Sequence, residues 1–311
     1  MSFYGDLIAE RTGLGKAWIG LILMASVTSL PELIVGISSS AIVQSADLAV
    51  GDIFGSCCFN LAILALLDIF VPVRKCLFSI ASSNHVLSAT LGIILIAFAG
   101  LALFLPEEIV IIPGIGVSSF VFFGIYLFSI RLIYRFEKEG KSLENIEHQT
   151  KARERSLKKI ILLYSVFALI IIIAALFIPH FANQIADETG LGKTFVGTLL
   201  VAASTSLPEI AVSIAAVRMG SINLAVGNLL GSNIFNIFIL AIDDVFYTKG
   251  VLLKDASDIN LVSVFSAIVM ASITIAGFTF RTETKRFRIA PDSFVILCFY
   301  VFSIILLYYL N

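Results

Sequence analysis

Apolar runs of membrane length recur along the whole of this chain, with only short polar gaps between them. About 20 apolar residues in a helix cross the ~30 Å hydrocarbon core of a bilayer. Lipid offers no partners to backbone N–H and C=O groups, and these runs are too long for barrel strands, so they are read as helices. Nine spans are predicted, at 17–42, 46–70, 82–105, 108–135, 158–183, 194–217, 221–245, 259–280 and 290–310. Composition agrees: 59% of the 311 residues are hydrophobic and 14% charged, against roughly 25% charged in a soluble domain. The predicted fold class is all-α, a polytopic membrane helix bundle.

Several function classes drop out early. The net charge is −1 and there is no basic stripe, so nothing points to nucleic acid. Cys57, Cys58, Cys76 and Cys298 lie in or beside apolar segments. Their spacing is neither a zinc site nor a secreted disulfide framework, and they are read as packing residues. His85, His148 and His180 fall in loops or at boundaries and take no role. The N-terminus, "MSFYGDLIAERTGLGK", lacks a signal-peptide core. No nucleophile–base pair or nucleotide loop suggests an enzyme, and no cofactor is expected.

Lys and Arg in short loops set orientation. The 136–159 segment holds Lys138, Lys141, Lys151, Arg153, Arg155, Lys158 and Lys159. Arg74 and Lys75, Arg218, and Arg281, Lys285, Arg286 and Arg288 fall on the same side with nine spans. That side also holds the N-terminus, which is expected in the cytoplasm with the C-terminus outside.

The chain repeats itself. "TGLGKAWIGLILMASVTSLPELIVGISSS" from Thr12 matches "TGLGKTFVGTLLVAASTSLPEIAVSIAAV" from Thr189, and "LAVGDIFGSCCFNLAIL" from Leu48 matches "LAVGNLLGSNIFNIFIL" from Leu224. Five crossings separate the first span from the sixth. An odd number inverts the second copy, as in many secondary transporters built around a midplane site. The expected organisation is a first repeat over 1–135, a cytoplasmic loop over 136–158 and an inverted second repeat over 159–311.

Each copy carries proline and glutamate in mid-span. Proline lacks an N–H and clashes with the carbonyl four residues back, so Pro31 frees Val27 and Pro208 frees Ser204, and loosens Thr28 and Thr205. Free carbonyls at membrane depth persist only where they line a cavity or bind something. Glu32 and Glu209 stand beside the prolines, and an intramembrane charge costs about 2.5–3.5 kcal/mol on insertion scales. Thr28 and Glu32 share a helical face at i, i+4, as do Thr205 and Glu209, Ser56 and Asn60, and Ser232 and Asn236. Ser29 and Ser206 join this set, and for Thr28, Thr205, Ser29 and Ser206 back-bonding to the helix is the alternative. Carboxylates, carbonyls, hydroxyls and amide oxygens are hard ligands suited to Ca²⁺ or Na⁺, not to Zn²⁺ or Cu²⁺. Gly51, Gly55, Gly227 and Gly231 let helices approach closely. Asp68, Asp243 and Asp244 lie near helix ends and are expected at the interface.

With "TSLPE" and "GSxxxN" each present twice, the sequence closely resembles the sodium/calcium exchangers of the cation/Ca²⁺ exchanger superfamily, in a compact prokaryotic form. The resemblance implies an antiporter working by alternating access. It implies Ca²⁺ held by the carboxylates of Glu32 and Glu209 and main-chain oxygens of Thr28 and Thr205. Na⁺ would use Ser56, Ser232 and the carbonyls of Ala25 and Ala202, with Asn60 and Asn236 flanking. Three Na⁺ for one Ca²⁺, the family's usual ratio, would respond to the membrane potential.

Three departures stand out. Both flanking residues are Asn, where some relatives carry one Asp. Asp52 replaces the usual Asn and is either a third carboxylate on the ion path or a helix-start residue favoured by the dipole. The family normally has ten spans, and none precedes Gly5, so the first family helix is expected to be missing. H⁺-coupled Ca²⁺ antiport and a non-transporting cation-binding homologue remain as alternatives. The expected partners are Ca²⁺, Na⁺ and the lipid bilayer, with the chain a monomer or weak homo-oligomer in the cell membrane.

Overall fold

The computed structural model describes residues 2–12, 15–72, 75–105, 110–112, 114–140, 157–175, 178–281, 285 and 288–310. α1 (Ser2–Thr12) leads into α2 (Lys16–Val43), which is interrupted at Ser29, and α3 (Ala46–Phe70). α4 (His85–Phe104), the antiparallel pair β1 (Val110–Ile112) and β2 (Ile115–Gly116), and α5 (Val117–Gly140) follow. Beyond the loop come α6 (Leu157–Ala175), α7 (Ile178–Thr189), α8 (Lys193–Thr205), α9 (Leu207–Arg218), α10 (Ile222–Phe246), α11 (Asn260–Phe280) and α12 (Pro291–Leu310).

Among the described residues seven helices are long and apolar enough to cross a membrane, namely α2 to α5 and α10 to α12. The α8–α9 pair, bent by 43°, makes an eighth if counted as one span. The predicted span 158–183 divides between α6 and α7, and residues 176–177 lie outside the described residues. The Lys/Arg-rich loop is likewise undescribed over 141–156.

The N-terminal stretch, read as polar chain with no helix ahead of the first repeat, forms α1. Its eleven residues are shorter than a span needs. α1 packs on α6 and α9. Tyr4 stacks on Phe167 with centroids 6.3 Å apart, and Ser2 Oγ donates to the Val212 carbonyl at 2.7 Å. α6 in turn lies along the second half of α2, and Tyr164 donates its hydroxyl to the Leu23 carbonyl at 3.1 Å.

α3 and α10 form the centre. Their apolar windows are 78% and 89% buried inside the protein, against 28% for α5 and 22% for α12, which face outward. The expected glycines explain how such helices come together. A Cβ on Gly51 would sit 3.0 Å from the Thr194 carbonyl oxygen, and one on Gly55 would overlap the Thr198 backbone. On α10, a Cβ at Gly227 would lie 2.5 Å from the Ala17 carbonyl oxygen and one at Gly231 would overlap Leu21. So α3 of one half lies backbone to backbone against α8 of the other, and α10 lies the same way against α2. Matching π-helical stretches, Ile19–Met24 and Gly197–Val201, occur at these contacts, the kind of irregularity often kept near functional sites.

Asp68 and Asp244, expected at the interface, are buried and hold turns in place. Asp68 Oδ1 accepts from the Leu77 N–H (2.8 Å) and Oδ2 from the Ala290 N–H (2.6 Å). Asp244 accepts from the Leu252 and Gly116 N–H groups (2.7 and 2.9 Å) and the Ser119 hydroxyl (2.6 Å). Lys285, counted above as a loop charge, is buried and pairs with Asp68 at 3.3 Å. Its ammonium also donates to the carbonyls of Asp68 and Val71, so it balances a buried anion.

The backbone contact at Gly231 makes a prediction. Gly231→Ala is expected to lower stability by about 1–3 kcal/mol through overpacking. Gly124→Ala, where a Cβ meets nothing within 4 Å, is expected to leave it unchanged or slightly raised. Thermal unfolding in detergent compares the two, and equal midpoints would remove the interlock from the account of stability.

Candidate cation site

The site begins with two broken helices. The first half of α2 ends at Ser29 (φ −87°, ψ 12°) and α8 ends at Ser206 (φ −83°, ψ 8°). Pro31 and Pro208 then fall in the opening turn of the next helical segment, where the missing N–H costs nothing. Glu32 and Glu209 fall in the same opening turns. There the positive end of the helix dipole favours negative charge. Each break therefore brings together a helix C-terminus, rich in carbonyls, and a carboxylate at a helix N-terminus.

Hydrogen bonds tie the two breaks crosswise. Ser29 Oγ donates to Glu209 Oε1 at 3.1 Å, and Ser206 Oγ donates to Glu32 Oε1 at 3.0 Å. Ser56 on α3 adds a longer bond to Glu32 Oε1 (3.4 Å), and Ser232 on α10 does so for Glu209 Oε1 (3.3 Å). Ser206 Oγ also lies 3.2 Å from Ser56 Oγ. The back-bonding alternative for Ser29 and Ser206 is thus not what they adopt, since each serves the other half's glutamate.

The threonines do back-bond. Thr28 Oγ1 lies 3.0 Å from the Met24 carbonyl and 3.3 Å from that of Ala25. Thr205 Oγ1 lies 3.1 Å from Val201 O and 3.2 Å from Ala202 O. They also reach across, Thr28 to Asn228 Oδ1 at 3.1 Å and Thr205 to Asp52 Oδ1 at 3.0 Å. One hydroxyl proton serves one of these acceptors at a time. The Ala25 and Ala202 carbonyls also accept the N–H groups of Ser29 (2.9 Å) and Ser206 (3.1 Å).

The remaining predicted residues sit on α3 and α10. Asn60 Nδ2 donates to Asn233 Oδ1 at 3.1 Å, and Asn236 Nδ2 approaches Cys57 Sγ at 3.9 Å. Every predicted site residue is buried, Asp52 among them. Asp52 is no surface helix-start residue: it is buried and accepts the Thr205 hydroxyl beside the second break. Sequence reasoning passed over Asn233 and Ser213, and it expected Asp243 at the interface, whereas the structure buries it. Asn233 bonds Asn60 and also donates to the Cys57 carbonyl (3.2 Å), while Ser213 Oγ accepts from Asn228 Nδ2 (3.2 Å). Asn233 stands inside the quoted stretch "LAVGNLLGSNIFNIFIL", so it carried a signal. Ser213 had none beyond its place one turn past Glu209.

Buried polar atoms are normally paired, and here the unpaired ones are oxygens. Glu32 Oε2, Glu209 Oε2, Asp52 Oδ2, Asn60 Oδ1 and Asn236 Oδ1 have no hydrogen-bond partner. Among the described residues no three His, Cys, Asp or Glu side chains are grouped as a metal site. Carboxylate, amide and hydroxyl oxygens form a donor set for a hard cation rather than for a transition metal.

The chain is similar to known proteins. The sodium/calcium exchanger protein family matches residues 1–132 and 158–309. The inner membrane protein YrbG of Escherichia coli (strain K12) is 29% identical over 273 residues, 86% of this chain and 82% of that protein. The sodium/calcium exchanger MaX1 of Methanosarcina acetivorans is 34% identical over 154 residues, 47% of this chain and 41% of that one. Among solved structures, the sodium-calcium exchanger NCX_Mj soaked with 10 mM Na⁺ and zero Ca²⁺ superposes with a TM-score of 0.70, at 22% identity, over 98% of this chain and 91% of that one. That likeness speaks for the shared fold.

The crossed serines are testable by double-mutant cycles on thermal unfolding. Ser206→Ala is expected to couple to Glu32→Gln by about 0.5–3 kcal/mol, as residues sharing a hydrogen bond do. Coupling to Glu209→Gln, the glutamate on its own helix, is expected to be smaller. The reverse order would refute the crossing.

Proposed function

We propose that this chain, which belongs to the sodium/calcium exchanger protein family, is a multi-pass antiporter that exchanges Ca²⁺ for Na⁺ around the Glu32–Glu209 centre. One observation carries the reading: two fully buried glutamates, one from each half, are cross-tied by the other half's serine and each keeps one carboxylate oxygen unpaired. Two unpaired carboxylate charges in the interior are costly unless compensated. One Ca²⁺ compensates both. Glu32 and Glu209 supply its carboxylate ligands, with main-chain oxygens of Thr28 and Thr205 completing the shell. Na⁺ uses Ser56, Ser232 and second lone pairs of the Ala25 and Ala202 carbonyls, with Asn60 and Asn236 alongside. Both ions need the same carboxylates, so one must leave before the other enters, and this couples their movement.

The two halves act as inverted repeats, with the N-terminus in the cytoplasm. α1 rests on α9, and α6 rests on the second half of α2, so the two outer helices flank the two broken spans. Sliding this pair against the interlocked core would expose the centre to one side and then the other. The shared backbone contacts of α3 with α8 and α10 with α2 favour a core that moves little. An exchange of three Na⁺ for one Ca²⁺ moves one net charge, worth ~2.3 kcal/mol per 100 mV. H⁺ coupling is the second reading, because the same buried glutamates can be discharged by protons.

Radioactive Ca²⁺ uptake into proteoliposomes tests this. Uptake is expected with an outward Na⁺ gradient and to fall to background in Glu32→Gln and Glu209→Gln. Uptake that follows only a pH gradient would transfer the coupling to H⁺. Ca²⁺ binding with no flux under either gradient would make the chain a non-transporting homologue.

A further inference from the structure

Two adjacent aspartates on α10 have opposite surroundings. Asp244 is fully engaged in the turns described above. Asp243 beside it is fully buried, and neither carboxylate oxygen has a hydrogen-bond partner. Its carboxylate lies against the backbone of Gly36 in the second half of α2, where a Cβ would overlap both oxygens.

The other half of the molecule shows what is unusual here. The repeat offsets pair Gly36 with Ser213 and Asp52 with Asn228. In that half the amide of Asn228 donates to the Ser213 hydroxyl, and the pair is neutral and satisfied. In this half the serine is replaced by glycine, the amide by a carboxylate, and Asp243 fills the space that glycine leaves. Asp52 Oδ2 is unpaired as well, and α3, which carries Asp52, packs along the second half of α2, which carries Gly36. The π-helical stretch Ser39–Val43, one turn beyond Gly36, packs against both α3 and α10. It brings two further buried hydroxyls without partners, those of Ser39 and Ser40.

We propose that Asp52, Asp243, Ser39 and Ser40 form a second cation site, separate from the glutamate centre, which takes one Na⁺. Two carboxylates and two hydroxyls are hard oxygen donors, and with Asp52 Oδ1 already taken by Thr205 they leave five free oxygens, short of the six to eight ligands of Ca²⁺. A proton would satisfy one lone pair and leave the other oxygens unpaired, whereas a metal cation engages several at once. The site communicates with the centre through the bond from Thr205 to Asp52 Oδ1. Na⁺ here neutralises charge close to the glutamates, so it weakens Ca²⁺ binding there, and Ca²⁺ weakens Na⁺ here by the same factor. This link rests on the exchanger reading, but the existence of the site does not.

The test therefore reads Na⁺ binding without transport. In a Glu32→Gln/Glu209→Gln background, Na⁺ is expected to raise the thermal midpoint in detergent by several degrees, saturably, with choline at equal ionic strength giving no rise. Adding Asp243→Asn is expected to abolish the shift. No Na⁺-specific rise in the background, a rise that survives Asp243→Asn, or a shift that follows pH alone would each overturn the site. Should the background variant not fold, radioactive Na⁺ binding to Ca²⁺-saturated protein replaces it. The wild type is expected to retain one Na⁺ that Asp243→Asn loses, and equal counts would overturn the proposal. Absence of Ca²⁺ flux alongside a positive Na⁺ result would sink the exchanger reading and leave this site standing.

Discussion

The structure turns on the burial of two carboxylates at the centre of a membrane protein. Glu32 and Glu209 are out of reach of solvent, and a bare charge in such a place is among the most expensive features a fold can carry. The cost is met locally by four serine hydroxyls and by the N-terminal ends of two helices. Those helix ends exist only because each span is broken, and each break exists because proline cannot continue the ladder. Pro31 and Pro208 therefore create the environment that makes the neighbouring glutamates tolerable. What local compensation leaves over is one unpaired oxygen on each glutamate, and that remainder is what a cation would engage.

Cross-bracing decides where the breaks sit relative to each other. Had each serine bonded within its own half, the two halves could separate without disturbing either glutamate. Instead Ser29 reaches Glu209 and Ser206 reaches Glu32. The same exchange recurs in the backbone, where the glycines of α3 touch α8 and those of α10 touch α2. Residues with no side chain thus do as much to position the site as residues with polar ones. A methyl group at Gly55 or Gly231 would push a broken helix outward, and the carbonyl end and carboxylate it carries would move with it.

Much of this was legible in the sequence. Proline beside glutamate in a span of membrane length marks a break with a charge, and its repetition marks two. The thirteen candidate positions were read from spacing and resemblance, and all of them are buried. Three features were hidden for physical reasons. Ser29 and Ser206 could have bonded backward or across, and only the packing of the other half decides. Asp68 and Asp244 look interfacial by position along their helices. Only the fold brings the N–H groups of Leu77, Ala290, Leu252 and Gly116 to them. α1 was obscured because eleven residues cannot form a span and carry little apolar periodicity. Its helix depends on support from α6 and α9.

The two halves match in outline and differ in charge, and the differences fall together. Asp68 is balanced by Lys285, while its counterpart Asp244 takes a neutral hydroxyl and two N–H groups. Asp52 stands where the other half has Asn228, and Asp243 where the first has Leu67. Both unbalanced aspartates therefore lie on the Gly36 side of the site, whereas Ser213 has the neutral amide of Asn228 beside it. A perfectly mirrored transporter would present the same electrostatics to an ion approaching from either face. Here the extra negative charge is confined to one side of the glutamate pair. On the exchanger reading, an ion arriving from that side would meet an attractive field before it reached the centre, and one arriving from the other would not. Matching halves with unmatched charge would then let ions enter the centre faster from one side than from the other, without any difference in the central ligands.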